Sequence, residues 1–145
     1  MEQTFVMIKP DSVQRGLIGQ IISRFELKGL NLKALKFVSI DQALAEQLYD
    51  VHKGKVFFEK LVNYVKSGPV VVSVWEGKDA IAVVRKLVGA TKPNEAEPGT
   101  IRGDFGLTID NNIVHASDAT DRAQYEIKLF FKELVNWNPI NSPWL

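Results

Sequence analysis

The chain has 145 residues, of which 46% are hydrophobic and 24% charged, and it contains no cysteine. This length and composition predict a single globular domain, residues 1–145, with a sizeable apolar core, and they exclude disulfides and thiolate metal sites. Eighteen basic residues against seventeen acidic ones leave a formal net charge of +1, so any anion-binding site has to be a local cluster of charge.

Strands and helices are predicted to alternate along the chain. Segments rich in β-branched and aromatic residues predict strands at 4–8, 32–39, 70–75 and 112–116. Between and after them, apolar residues recur at helical spacing. These stripes predict helices at 18–25, ended by Gly29; 44–51, after a capping Asp41; 57–65; 81–88, ended by Gly89; and 123–134, with Asp121 and Gln124 spaced as a capping box.

The order β-α-β-αα-β-α-β-α predicts an α+β fold. If the two middle helices are an insert between strands 2 and 3, the remainder is the ferredoxin-like β-α-β-β-α-β plan. We therefore expect a four-stranded antiparallel sheet with helices packed on it and a C-terminal helix followed by a tail. The tail, NWNPINSPWL, contains two tryptophans and two prolines, and we expect it to lie along its own fold or along a neighbouring subunit.

Residues 90–111 form a long segment with two prolines, three glycines and no helical stripe. Long loops without regular structure are uncommon in small domains and are often functional. Because both ends of this loop should approach the fourth strand, we expect it to contribute ligand-binding groups.

His115, at the end of the fourth predicted strand, is the candidate nucleophile. A neutral imidazole has a free lone pair near pH 7, because the ordinary pKa of histidine is about 6.5. Attack on phosphorus also needs space beside the ring and a partner that orients it. Ala116 leaves space, and Glu126 can reach the ring if the last helix folds back on the strand. A lone histidine is more often paired with a backbone carbonyl, so this assignment depends on the residues around it.

Those surrounding residues are cationic and polar. Lys9 ends the first strand and can share a cavity with His115. Arg85, Thr91 and Arg102 lie on the helix before the long loop, at its start and near its end. Two guanidiniums and a hydroxyl suit the oxygens of a diphosphate. Each residue alone is more commonly a solvated surface residue, but together around one histidine they predict phosphoryl transfer.

Four stretches resemble the nucleoside diphosphate kinase family: TFVMIKPDSVQRGLIGQII, SGPVVVSVWEG, PGTIRGDFG and NIVHASD. The resemblance extends over essentially the whole chain. It implies a ping-pong phosphotransferase that balances NTP and dNTP pools. In such an enzyme a histidine takes the γ-phosphoryl group of a nucleoside triphosphate and gives it to a different nucleoside diphosphate. The resemblance also implies Mg²⁺ bound with the nucleotide, and a homo-oligomer, with a hexamer favoured over a tetramer.

The resemblance further implies a role for each matching residue. His115 would be the phosphorylated nucleophile and Glu126 its orienting carboxylate, hydrogen-bonded by Ser117. Lys9 would contact the transferring phosphoryl group and the sugar 3′-hydroxyl, and Asn112 would bind the sugar. The β- and γ-phosphates would be held by Arg85, Thr91 and Arg102. Phe57 would stack on the base, and Tyr49 would lie beside it at the cavity mouth. Asp118 would touch the magnesium through water.

The chain also departs from the common family pattern. Ser12 stands where the family has the glycine of KPDG, and Val56 stands in place of a proline. Asp110 and Asn111 replace a Gly-Arg pair, Ala116 replaces a glycine, and Ala119 replaces a serine. None of these changes removes a residue with an implied catalytic role, so activity is still expected. Their effect should fall on the geometry where the chain enters the fourth strand.

Two other functions were weighed. A ferredoxin-like nucleic-acid-binding module needs exposed aromatic residues on its sheet and a basic surface, and the balanced charge disfavours a nucleic-acid partner. A catalytically silent family member should have lost the histidine or the phosphate clamp, which this chain keeps. The sequence has no membrane-length apolar run and no signal-peptide pattern, which predicts a cytoplasmic protein without a membrane partner.

Overall fold

The computed structural model describes residues 1–137 and confirms the predicted α+β fold. Four strands form one antiparallel sheet in the order β2-β3-β1-β4. Their bounds are β1 Glu2–Ile8, β2 Asn31–Val38, β3 Val70–Gly77 and β4 Val114–Ala116. The two inner strands, β1 and β3, are almost wholly buried, as expected for a sheet covered by helices on both faces.

Seven α-helices are found within residues 1–137: α1 Pro10–Gln14, α2 Ile18–Lys28, α3 Gln42–Leu48, α4 Phe58–Lys66, α5 Ala80–Val88, α6 Ile101–Phe105 and α7 Thr120–Phe130. Short 3-10 turns lie at Asp50–His52, Pro93–Glu95 and Ile109–Asn111. Helices α3 and α4, with the 3-10 turn between them, are the predicted insert between β2 and β3. None of these helices is long and apolar enough to cross a membrane.

The core has two layers because successive strand residues point to opposite faces of the sheet. On β1, Phe5 and Met7 belong to one apolar cluster, which also contains residues of α3, α4 and α7. Val6 and Ile8 belong to the other, which contains residues of α2 and α5. The first cluster places α7 over the strands that carry the candidate site residues. The fold-back of the last helix, on which the histidine hypothesis depends, therefore occurs.

Several local predictions were correct at the helix ends. Gly29 ends α2 in the left-handed conformation, with φ 105°, which glycine adopts without steric cost. Asp41 caps α3 by accepting a hydrogen bond from the backbone N–H of Leu44. The predicted capping box of the last helix is wrong. Helix α7 begins after Ala119 without a side-chain cap, so the spacing of Asp121 did not mark its first residue.

Two helices were not predicted. Helix α1 begins at Pro10, where the fixed φ of proline suits a first helical position. Helix α6 lies inside the long segment 90–111, where we expected no regular structure. The Thr100 hydroxyl caps it by accepting from the Gly103 N–H. A five-residue helix is too short to show an apolar stripe, which explains why periodicity missed both.

The described part of the tail lies along its own fold, beside β2. The Trp137 indole N–H donates to the Leu32 carbonyl at 3.1 Å. The Lys33 ammonium donates to the Trp137 carbonyl at 2.7 Å, and the Val135 N–H donates to the Lys33 carbonyl at 3.4 Å. The remainder of the predicted tail, 138–145, lies outside the described residues, and the expectation about it stays a prediction.

Candidate active site

A cavity of about 580 Å³ opens between the helical insert, the long segment 90–111 and the ends of β1 and β4. Its volume is within the range of small-molecule sites. Every site residue named from the sequence lines this cavity except Ser117, which contacts Glu126. Thr91 and Asp118 are exposed at its rim, whereas Lys9, Arg102 and Asn112 are buried.

His115 lies in the middle of β4, opposite Met7 of β1. Directly paired strand residues point to the same face, and this is the face on which α7 packs. The His115 Nε2 atom is 2.9 Å from the Glu126 Oε1 atom of α7, and the two side chains are 21% and 3% exposed. Because an ionised carboxylate can only accept hydrogen bonds, this contact places the ring hydrogen on Nε2. The Nδ1 atom therefore keeps its lone pair.

Glu126 is held by three side chains. Besides His115, the Ser117 hydroxyl donates to Oε1 at 2.6 Å, and the Arg122 guanidinium donates to Oε2 at 3.4 Å. Burial raises the pKa of Glu126, but the charge and hydrogen bonds of His115 and Ser117 and the charge of Arg122 outweigh it, so the pKa is lowered. Glu126 is thus a fixed carboxylate that can compensate positive charge on the ring.

A cluster of positive charge lies beside the histidine. Burial and the charge of Arg102 lower the pKa of Lys9 to about 7, although the charge of Asp11 acts to raise it. Burial and the charge of Arg85 lower the pKa of Arg102 to about 10. In both residues burial is the larger cause and a neighbouring cation adds to it, which means that the positive charge of this cluster is incompletely compensated. A bound polyanion would supply the missing negative charge.

Arg102 also has a structural role that the sequence did not reveal. Its Nε, Nη1 and Nη2 atoms donate to the carbonyls of Asn112, Gly89 and Val114 at 3.0, 3.2 and 2.7 Å. One guanidinium therefore joins the end of α5 to the chain that enters β4. Arg85 makes one such bond, from Nη1 to the Ala116 carbonyl at 3.2 Å.

The chain enters β4 through a strained residue. Ile113 has φ 76°, a conformation that costs a branched residue about 1–3 kcal/mol. Two hydrogen bonds hold its carbonyl, from the Lys9 N–H at 3.0 Å and from the Ser12 hydroxyl at 2.8 Å. Ser12, one of the departures from the family pattern, thus adds a hydrogen bond where the backbone is strained. The strand is shorter than predicted, because it starts at Val114 and not at Asn112.

The strained turn brings Asn112 against Lys9. The Lys9 ammonium donates to Asn112 Oδ1 at 2.6 Å, and the Asn112 amide donates to the Thr91 carbonyl at 3.4 Å. The lysine, the amide and the start of the long segment therefore form one connected wall of the cavity.

The outer part of the cavity is aromatic and apolar. Phe57 is 47% exposed, and its ring centroid is 5.2 Å from that of His52. Tyr49 is buried, with its ring 6.1 Å from the His115 ring in an edge-on arrangement. Its hydroxyl has no hydrogen-bond partner among residues 1–137. A buried, unpaired hydroxyl beside a cavity is available to a ligand.

Sequence reasoning missed Arg122 and His52, which also line the cavity. Arg122 lies four residues before Glu126 on α7, a spacing that signals an ion pair on a helix. It also donates to the Asp50 carboxylate at 3.0 Å and to the Leu48 carbonyl at 3.1 Å. Arg122 therefore ties the Glu126 carboxylate to the helical insert. His52 carried no sequence signal, because its place at the cavity depends on how the insert packs.

The donor set was compared with the needs of a metal ion. Within residues 1–137, no three or more His, Cys, Asp or Glu side chains are grouped so that they could hold one. Asp118 is an exposed carboxylate at the cavity. Such a site fits Mg²⁺, which keeps several waters and usually binds through one or two carboxylates plus substrate phosphates.

Comparisons with known proteins agree over the length of the chain. The family model described as nucleoside diphosphate kinase matches residues 2–135. The nucleoside diphosphate kinase of Picosynechococcus sp. is 58% identical over 147 residues, covering 100% of this chain and 99% of the relative. That of Trichodesmium erythraeum is 55% identical with the same coverage.

Solved structures of related proteins have the same fold. A halophilic nucleoside diphosphate kinase from Halobacterium salinarum in complex with CDP superposes with a TM-score of 0.92 and 51% identity. That alignment covers 95% of this chain and 93% of the other. A nucleoside diphosphate kinase family protein from Babesia bovis gives a TM-score of 0.93 and 49% identity, covering 96% and 95%.

Proposed function

The chain belongs to the nucleoside diphosphate kinase family, a family of nucleotide-binding phosphotransferases, and we propose that it moves the γ-phosphoryl group of a nucleoside triphosphate to a nucleoside diphosphate through a phosphohistidine at His115. The observation that carries this proposal is the pairing of His115 Nε2 with Glu126, inside a cavity that also holds Lys9 and Arg102. Neither a nucleic-acid-binding module nor a silent relative accounts for that arrangement.

In the first half-reaction, the lone pair of His115 Nδ1 attacks the γ-phosphorus. The new P–N bond forms as the bond to the β–γ bridging oxygen breaks, and the nucleoside diphosphate leaves with the electron pair. Positive charge that develops on the ring is compensated by Glu126, which accepts the Nε2 hydrogen bond at 2.9 Å. In the second half-reaction, a terminal phosphate oxygen of another diphosphate attacks the phosphorus and releases the neutral ring.

The cationic wall is proposed to bind the phosphates. Arg85, Arg102 and Thr91 would hold the β- and γ-phosphates. Lys9 would contact both the transferring phosphoryl group and the sugar 3′-hydroxyl, and Asn112 would bind the sugar. The pKa values of Lys9 and Arg102 are lowered by burial and, in each case, by a neighbouring arginine. This supports the assignment, because a bound polyanion would compensate the repulsion between the cations. Catalysis would then consist mainly of positioning and charge stabilisation.

The apolar mouth is proposed to bind the base. Phe57 offers an exposed ring on which any base can stack, since every base has a π face, and Tyr49 closes the inner side. The helical insert would thus hold the base while β1, β4 and the segment 90–111 hold the sugar and phosphates. Sugar and phosphates are common to all nucleotides, so the enzyme should accept many of them.

Mg²⁺ is proposed to arrive with the nucleotide. Asp118 would hold it through water at the rim of the cavity, and the ion would supply positive charge that offsets part of the charge of the phosphates. Replacing Asp118 should therefore raise the magnesium concentration needed for half-maximal activity more than it lowers the maximal rate.

Labelling provides the direct test of the proposed function. The protein is mixed with γ-labelled ATP without an acceptor, and we expect acid-labile, alkali-stable label on the chain. Adding GDP should then remove the label as GTP. A chain that transfers phosphate only while both nucleotides are present, and never carries label, would contradict the ping-pong mechanism.

Lys9 leads to a prediction about protons. Burial and Arg102 lower its pKa to about 7, so at about pH 8 most of the free protein carries a neutral Lys9. Nucleotide phosphates favour the charged form and raise this pKa, so binding at about pH 8 should take up a proton, whereas binding at about pH 6 should take up less. Titration calorimetry in buffers of different ionisation enthalpy measures this uptake. If Lys9→Met took up as many protons as the unaltered protein, the uptake would belong to another group.

Assembly and location go beyond what family membership establishes. We propose a homo-oligomer, a hexamer in preference to a tetramer, formed by one domain of residues 1–145. Association of some order is supported by β2, which is an edge strand with Leu35 and Phe37 48% and 64% exposed. Exposed apolar edges are commonly covered in an assembly. Light scattering of the eluting protein tests it. A cytoplasmic location stays a prediction from the sequence.

A further inference from the structure

Lys60 and Asp110 form an ion pair at the mouth of the cavity, and the steps above assign neither residue a role. The Lys60 ammonium is 2.8 Å from Asp110 Oδ2, and both side chains line the cavity. Lys60 belongs to α4, and Asp110 belongs to the 3-10 turn Ile109–Asn111. The pair therefore connects the two walls between which a ligand enters.

Each charged residue lies next to an exposed apolar side chain. Lys60 follows Phe57 by three residues, less than one helical turn, and Asp110 directly follows Ile109. Phe57 and Ile109 are 47% and 49% exposed, and both line the cavity. Each wall thus offers an apolar surface for the flat face of a base, with a charged group beside it. Because the pair and both apolar side chains line the same cavity, a base stacked on Phe57 would have the ion pair within reach of its polar edge.

We propose that Lys60 and Asp110 bind the hydrogen-bonding edge of the base and make guanine nucleotides the favoured substrates. The inference rests on the proposed function, because it concerns the base subsite of the same cavity. Guanine presents an acceptor, O6, next to two donors, N1–H and the N2 amino group. A Lys60 ammonium donates to O6, while both oxygens of Asp110 accept from the two donors.

The other common bases satisfy this pair less well. On the corresponding edge, adenine, cytosine and uracil each present at most one donor beside an acceptor, so the carboxylate would receive one hydrogen bond where guanine gives two. The pair keeps unused hydrogen-bonding groups for a base. Lys60 engages one oxygen of Asp110, and an ammonium has three N–H donors.

The size of the effect follows from exposure. The side chains of Lys60 and Asp110 are 68% and 55% exposed, so their bonds to a base compete with water and are screened by salt. Bidentate contacts between side chains and bases discriminate strongly when water is excluded. At this rim we expect a smaller preference for guanine, about three- to tenfold in kcat/KM, which decreases as salt is added.

The test compares GDP with IDP as phosphoryl acceptors from ATP. IDP lacks only the 2-amino group, so its phosphates, sugar, ring and O6 are unchanged. We expect the unaltered protein to favour GDP by about three- to tenfold in kcat/KM, and by a similar factor in the dissociation constants from calorimetry. In Asp110→Asn, whose amide supplies a single acceptor oxygen, the ratio should fall to about one. Lys60→Met should weaken both GDP and IDP relative to ADP.

The matched controls are Glu59→Gln and Lys53→Met. Each removes one charge from the same insert at an exposed position that does not line the cavity, and each should keep the ratio of the unaltered protein. Melting curves verify that the variants fold. Equal use of GDP and IDP by the unaltered protein, or a ratio that Asp110→Asn leaves intact, would overturn the inference alone. Transfer to no diphosphate at all would overturn the proposed function and this inference with it.

Discussion

Alanine in place of His115 is expected to leave essentially no phosphoryl transfer and no label on the chain. The reason is that this substitution removes the atom that carries the phosphoryl group. Loss of one charge-stabilising donor, by comparison, typically slows an enzyme by about 10²–10³ and leaves the intermediate in place. Incubation with γ-labelled ATP and measurement of kcat with a second diphosphate give the two readouts.

The other histidine supplies the control. His52 lines the same cavity, with its ring 6.4 Å from that of Tyr49, but it has no carboxylate partner among the hydrogen bonds of residues 1–137. His52→Ala should therefore still be labelled by ATP. Label on His115→Ala, or a lack of label on His52→Ala, would mean that His115 is not the residue that carries the phosphoryl group. Either result would contradict the mechanism. Melting curves verify that both variants fold.

Much of the fold could be predicted because its signals are local. The apolar runs of β1 and β3 match strands buried on both faces. Gly29 ends α2, and Gly89 ends α5. These features depend on side-chain period and backbone freedom, which can be recognised from neighbouring residues. The order of elements then leaves few ways to form the sheet.

The features that were missed depend on residues far apart in the chain. The three carbonyls that Arg102 binds come from segments that meet only in the folded protein. The Lys60–Asp110 pair spans a sequence separation of 50. Which nitrogen of His115 stays free was equally hidden, because it depends on where α7 brings Glu126. The residues' roles were predicted from family resemblance, whereas their mutual geometry required coordinates.

Arg102→Ala is expected to damage both stability and activity, for separate reasons. Arg102 is 5% exposed, and its removal takes this donor from the carbonyls of Gly89 and Val114. The carbonyl of Asn112 keeps the Val114 N–H at 2.8 Å. An unsatisfied buried group costs about 1–3 kcal/mol. Part of this is offset, because the variant also relieves the repulsion that lowers the pKa of Lys9. We expect the free energy of unfolding to fall by about 2–4 kcal/mol, measured by denaturant titration.

The activity of Arg102→Ala, measured where the variant is still folded, should fall by about 10²–10³ in kcat, since one phosphate donor is lost while the nucleophile remains. Arg85→Ala is the matched comparison, because Arg85 is half-buried and holds a single carbonyl. It should lose a similar factor in rate but far less stability. Equal losses of stability in the two variants would mean that the carbonyl network is not what Arg102 contributes. If Arg102→Ala lost activity as completely as His115→Ala, the proposed roles would be contradicted. Those roles make His115 the carrier of the phosphoryl group and Arg102 only a group that stabilises it.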